Sequence, residues 1–210
     1  MSGFSFLTPE GGDGLWHEPG ELFSNPAILS EYESAAVSLF TPKFTLVPLQ
    51  FFDPASARES LSGVVALDPA ENVKYCTMED RGAVLIWSDS CLGTLPRAIS
   101  ASLRLKDGAA PEIYPEARWM LDSLASITEY NKLCASYVDG HLYLAVSQGK
   151  TLLLCNSFVA QDFTTAEYFI FMVMKKLQLN PEMTSIYFRT PLDEGQESSL
   201  YRYFKSVEKQ

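Results

Sequence analysis

The sequence predicts an α/β protein of two halves, and the clearest signs lie between residues 133 and 188. Three strand-like segments, 133–139, 140–148 and 149–158, follow one another at hairpin spacing. Asp139-Gly140 and Gln148-Gly149 separate them, and glycine dipeptides of this kind suit tight strand reversals. An apolar helix follows, with Thr164 and Glu167 spaced as a capping box and Asn180-Pro181 as its stop. Residues 184–188 then return to strand character. A β-β-β-α-β order is the core half of a ribonuclease-H-like or actin-like domain.

The first half is read element by element. Residues 3–7 and 14–17 form a short hairpin around a turn-rich stretch. A helix is expected from Pro26 to Phe40, with Asn25 as N-cap and Pro26 at the first helical position. Lys43 to Pro48 reads as a strand bounded by prolines. A short helix begins near Pro54, capped by Asp53, with Leu61, Val64 and Val65 as its apolar contacts. Strands follow at Val73–Met78 and Ala83–Trp87. Ser88-Asp89 open a helix that Pro96 ends or bends. Lys106 to Pro111 is a loop, and Pro115 to Glu129 a helix with Trp119, Leu121, Leu124 and Ile127 at three-to-four spacing.

In the second half, Tyr168 to Met174 is apolar all round, which fits a helix packed on two sides. A last helix is expected over Glu197–Val207, offering Leu200, Tyr203, Phe204 and Val207 as one face. Both halves run hairpin, helix, strand. The expected domains are residues 1–130 and 131–210, meeting at a cleft.

Composition narrows the function classes. With 210 residues and 47% hydrophobic content, the chain can bury a real core. A formal charge of −10 argues against nucleic-acid or anionic-membrane binding, which need clustered Lys and Arg. Lys175-Lys176 is a basic pair at a helix end, where the macrodipole favours it. No basic-then-apolar leader opens the sequence, and the apolar run at residues 168–174 is far below the ~20 residues of a membrane span. A cytoplasmic location is expected. Cys76, Cys91, Cys134 and Cys155 lack metal or redox spacing and read as reduced, mostly buried thiols.

The stretch from Leu152 to Phe188 resembles a bacterial family of unknown function, known mainly from Bacteroidota and assigned an actin-like ATPase fold. The resemblance is carried by Leu154–Phe158, the aromatic helix 168–174 and the stop Leu179–Glu182. Leu200–Phe204, Gly3–Phe6 and Thr45–Pro48 extend it over nearly the whole chain. It implies two ribonuclease-H-like subdomains around a cleft. The family's leading strand is missing before Gly3, and the sequence ends soon after Phe204, so the resemblance implies shortening at both ends.

Actin-like ATPases bind Mg-nucleotide between their two domains, through an Asp at the end of each first strand and glycine-rich turns. The turn equivalent to theirs would be Asp139-Gly140, which makes these two residues the nucleotide-binding candidates, with Mg-ATP as the cofactor they would serve. The glycine cluster that should follow is replaced by His141, Leu142 and Tyr143. Asp139-Gly140 is equally a favourable hairpin dipeptide without any ligand.

Other patterns have plain structural readings. Gly149-Lys150-Thr151 imitates the end of a phosphate loop, but position 144 is Leu and a strand follows where a helix is needed. Cys91 sits near a helix start, yet a cysteine hydrolase needs a base, and only His17 and His141 are available. Glu31/Glu33, Glu79/Asp80 and Asp193/Glu194 read as solvated surface rather than as the convergent acids of a metal-dependent nuclease. No catalytic or metal residue is assigned. Tyr201, Tyr203 and Phe204 could cover a partner surface or a second copy of the chain. The expected function is a catalytically inactive protein of this fold that binds an unidentified protein partner, with no nucleic acid and no membrane, and with homodimerisation as one form of that role. The alternative is an ATPase with divergent loops.

Overall fold

The computed structural model describes residues 4–6 and 17–210, and of Cys91 the backbone alone. Phe4 and His17 form an antiparallel bridge, while the rest of the expected first hairpin lies outside the described residues. Asn25 caps α1 (Pro26–Leu29) by accepting the Ala27 N–H. The helix expected to reach Phe40 ends after this one turn. Ser30 is extended, and the Tyr32 hydroxyl donates to the Ala27 carbonyl at 2.6 Å. The residues beyond go instead into β1 (Glu31–Tyr32) and β2 (Ala36–Leu39).

β3 (Phe44–Pro48) appears as expected, and Asp53 caps a 3-10 turn that leads into α2 (Ala57–Ser62). Leu61 is buried, but Val64 points to solvent at 62% exposure rather than into the core. β4 (Lys74–Met78) and β5 (Ala83–Trp87) complete a three-stranded antiparallel sheet in the order β3-β5-β4. Pro96 does not end the next helix but lies in the first turn of α3 (Leu95–Ser102), where its missing N–H costs nothing. β6 (Arg104–Leu105) and β7 (Glu112–Pro115) pair in parallel with β1 and β2, respectively. α4 (Glu116–Ser126) closes this half.

The second half is one sheet. β8 (Asn131–Val138), β9 (His141–Gln148) and β10 (Thr151–Val159) form an antiparallel meander. α5 (Phe163–Lys176) is capped by Asp162, whose carboxylate accepts the Thr165 N–H at 2.7 Å. Thr164 is therefore already inside the helix, and the Glu167 Oε1 atom that should have completed a capping box has no hydrogen bond among the described residues. β11 (Ser185–Phe188) then pairs in parallel with β8. α6 (Glu194–Tyr201) ends six residues before Val207, the expected end of the last helix. Parallel pairing with β11 draws Ser206–Lys209 into β12 and buries Val207 opposite Ile186. The order is β10-β9-β8-β11-β12.

Alternation along these strands splits the core in two. Leu133, Leu144, Val146 and Ile186 face α5 and α6, meeting Ile170, Val173 and Leu200. Cys134, Tyr143 and Ala145 face the other way, onto Met120, Leu121 and Leu124 of α4 and onto Phe44, Leu85 and Trp87 of the first half. One face of the second sheet thus shares its core with the first half.

Candidate functional site

The Asp139-Gly140 turn joins β8 to β9 with Val138 and His141 already paired across it. Asp139 at φ 49° and Gly140 at φ 70° give both central residues the left-handed conformation of a type I′ hairpin turn. The outward groups of the turn are partly spent. The Ala160 N–H donates to the Gly140 carbonyl at 2.8 Å, and His141 Nδ1 lies 3.0 Å from the Asp139 carbonyl, to which it donates as the Nδ1–H tautomer. Tyr143, two residues on, is buried and packs edge-on against Phe40 at 5.6 Å.

The other sequence candidates are dispersed. Gly149 takes a φ of 56° and donates its N–H to Tyr130 at 2.7 Å, and Thr151 runs directly into β10, so residues 149–151 are a hairpin turn. Asp193 caps α6 in a capping box with Gln196, and Glu194 lies in that helix's first turn. Glu79 and Asp80 sit in a 3-10 turn, and Glu33 pairs with Lys106. Among the described residues, no three His, Cys, Asp or Glu side chains gather where they could share a metal ion. The Cys91 side chain lies outside the described residues. Burial pushes the Cys134 and Cys155 thiols up to about 12 and also raises Cys76. Cys134 is buried while Cys76 and Cys155 are partly exposed, and thiols raised in this way are poor nucleophiles near neutral pH.

Two buried polar nodes escape a reading of the sequence. Glu116, at the start of α4, is 1% exposed. Its carboxylate accepts from Ser38 of β2, from Ser136 of β8 at 2.6 Å and from Arg189 Nε at 2.8 Å. Arg189 also donates to Ser123 Oγ at 2.9 Å, and its N–H meets the Ala135 carbonyl at 3.0 Å. The node therefore links a strand from each half through α4. Its donors and acceptors are matched, which suits a structural tie. The sequence signal was Glu116 itself, sitting on the same helical stripe as the buried Ala117, Met120, Leu121 and Leu124.

The second node is Glu71, which accepts from Lys43 and from Ser88 Oγ at 2.8 Å. The Lys43 hydrogen bond, with that of Ser88, holds its carboxyl below the usual carboxylate range against the opposing effect of burial. Arg58 braces the same loop by donating to the Glu71 carbonyl at 2.6 Å.

Aromatic residues crowd the α5–α6 side. Phe204 is buried, while Tyr201 and Tyr203 remain 53% and 49% exposed. Tyr203 meets Phe171 edge-on at 5.0 Å, and Phe171 stacks on Phe204 at 5.8 Å, so the Tyr203 ring stands on a packed support, while the Tyr201 hydroxyl donates to the Val207 carbonyl at 3.1 Å. Among the described residues, no helix is long and apolar enough to cross a membrane.

With this geometry in hand, comparison with known proteins yields a family and a fold. The model of a protein family of unknown function, DUF3822, matches residues 10–207. A Bacteroides thetaiotaomicron protein of actin-like ATPase fold and unknown function aligns over 100% of this chain and 87% of its own. The TM-score is 0.69 and the identity 17%. That likeness gives the fold as actin-like. The cytoplasmic domain of EpsL, an inner-membrane component of the Vibrio cholerae type II secretion system, aligns over 90% of this chain and 76% of its own, at a TM-score of 0.46 and 14% identity. The PilM-PilN type IV pilus biogenesis complex aligns over 80% of this chain and 65% of the matched one, at 0.43 and 12%. No curated protein matches the chain.

Proposed function

We propose, for a chain that belongs to the DUF3822 family of unknown function, that it is a catalytically inactive protein of actin-like fold that works in the cytoplasm by binding another protein. The observation that carries this reading is the closed turn at Asp139-Gly140. A phosphate cradle needs several backbone N–H groups converging on one point. A two-residue turn with Val138 and His141 already paired leaves at most the N–H groups of Asp139 and Gly140 outside the ladder, and the Ala160 N–H, bound to the Gly140 carbonyl, ties the turn to the end of β10. The residues that follow are bulky, and Tyr143 is committed to the core. The turn thus fits a triphosphate and its metal poorly.

Protein binding is supported by the exposed Tyr201 and Tyr203 rings, the latter braced on Phe171, since large rigid rings supply contact area at low entropic cost. The partner is a different protein or a second copy of this chain. Asp139 at the end of β8 favours one other reading, Mg-nucleotide binding through Asp139 and Gly140. The test of the binding reading is native affinity capture with the wild-type chain and with a Tyr201→Ser/Tyr203→Ser variant, alongside sedimentation of the purified protein. The expected result is a stoichiometric partner, or a dimer, that the variant loses while melting cooperatively. A monomer that repeatedly captures nothing, or a variant that binds as well as wild type, would overturn it.

A further inference from the structure

β3 and β10 are edge strands of their respective sheets, and both line one groove of about 410 Å³. The ladders fix which backbone groups each edge leaves open. The Ala160 N–H donates to the Gly140 carbonyl, so Ala160 is a bonded position. Alternation along the antiparallel pair then turns the N–H and C=O of Cys155, Ser157 and Val159 away from β9. On β3, the Lys43 carbonyl accepts from Ser88 and the Leu49 N–H donates to Gly82, so Phe44 and Leu46 turn theirs away from β5.

Among the described residues, no backbone hydrogen bond joins β3 to β10. Phe44, Leu46 and Cys155 line the groove, so both its walls carry backbone donors and acceptors that no strand takes up. Ser157 Oγ donates to the Pro42 carbonyl at 3.1 Å and ties the two walls together just beyond it. Val64 and Leu152, which also line the groove, are exposed apolar side chains. A second copy of the chain suits this place poorly. A stable folded dimer needs about 800 Å² from each partner, far more than a groove of this volume offers, and each copy brings a formal charge of −10. An extended peptide uses what is here: open backbone groups for its own ladder, and apolar contacts for alternate side chains. The charge of −10 favours basic residues at its ends.

We propose that this groove takes an extended segment of another protein as an added strand, apolar at alternate positions and basic at its ends. The main-chain ladder supplies most of the affinity and the alternate side chains the selectivity. The site lies at the opposite edge of the second sheet from Tyr201, whose hydroxyl meets Val207 of β12, and it does not rest on the tyrosine surface.

The test titrates the full chain with the peptide acetyl-Lys-Val-Thr-Val-Thr-Val-Lys-amide and follows the assigned backbone amide resonances. The expected result is a saturable shift centred on the Phe44, Leu46 and Cys155 amides. The same peptide N-methylated at one nitrogen on each strand edge loses ladder donors and should bind about tenfold more weakly. Exchanging its Lys ends for Glu should weaken binding at low salt. Val64→Lys/Leu152→Lys, at two exposed positions, should melt as wild type does and lose about tenfold in affinity. The readout lies at β3 and β10, so its failure is distinct from failure of the tyrosine reading. Unmoved amides at millimolar peptide, equal binding of the N-methylated peptide, or unchanged affinity in Val64→Lys/Leu152→Lys would each overturn the proposal. So would a concentration-dependent dimer that protects these amides, because the occupant would then be a second copy.

Discussion

Replacing Arg189 by Met would strand the Glu116 carboxylate, which is 1% exposed and would keep only its two serine donors. Removing one partner of a buried ion pair costs about 3–5 kcal/mol, because the remaining charge is left without compensation. Arg189 is 24% exposed, so solvent reaches the pair and the lower part of that range applies. Loss of its bond to Ser123 adds roughly 1 kcal/mol. For a chain of this size each kcal/mol lowers the melting midpoint by about 2–4 °C, so a fall of about 10 °C is expected by circular dichroism. Glu116→Gln in the Arg189→Met background should recover much of the loss, since an uncharged amide replaces the stranded carboxylate. A melting point within about 2 °C of wild type for Arg189→Met would refute the reasoning. So would a double variant no more stable than the single one.

Further outcomes follow from particular atoms. α5 ends in a Schellman arrangement, with Leu179 N–H on Met174 and Gln178 N–H on Lys175, and Gln178 holds a φ of 56° that favours glycine. Gln178→Gly should therefore stabilise by about 1 kcal/mol in urea unfolding, whereas Gly140→Ala should cost about 1–2 kcal/mol. A Cβ at Gly140 meets nothing closer than 3.7 Å, so that cost is conformational, and the opposite sign in either variant would contradict it. The Glu71 carboxyl is depressed below its unfolded value of 4.5 by Lys43, so its contribution is full above that pH and is lost as pH falls through the lower folded value. Wild type should lose its stability advantage over Glu71→Gln as pH falls below about 4.5, and a constant difference would count against the pair. Cys134, buried and pushed up to about 12, should resist iodoacetamide in the native protein at about pH 8 and react in urea. Native labelling at Cys134 would contradict its burial.

The second half was legible because its signals are local. Asp139-Gly140, Gly149 and Asn180-Pro181 punctuate strands and a helix that pair with immediate neighbours, and the meander follows directly. The first half hid its pairings. The Asn25 cap and Pro26 were read correctly, but Glu31–Tyr32 and Ala36–Leu39 find their partners at Arg104–Leu105 and Glu112–Pro115, far along the chain. The same applies to Val207, where apolar spacing suits a helix and parallel pairing with Ile186 wins. At Pro96 one residue type permits two readings, a helix breaker or a first-turn residue, and the unsatisfied first-turn N–H groups decide for the latter. The Asp139-Gly140 turn was visible as a turn. What occupies its carbonyls was not, because Ala160 enters only through the third strand. The Glu116 node draws on four separate segments, so sequence offers only a charge on an apolar stripe.

The most direct measurement is the thermal midpoint of the wild-type chain and of Asp139→Asn with and without millimolar Mg-ATP, Mg-ADP and Mg-GTP. A ligand at 100 times its dissociation constant adds about 2.7 kcal/mol, or a shift of roughly 5–10 °C in a domain of this size. The expected result is no magnesium-dependent shift in either protein. A shift of that size in the wild type, absent from an equally stable Asp139→Asn, would contradict the inactive reading and make the β8–β9 turn a nucleotide site.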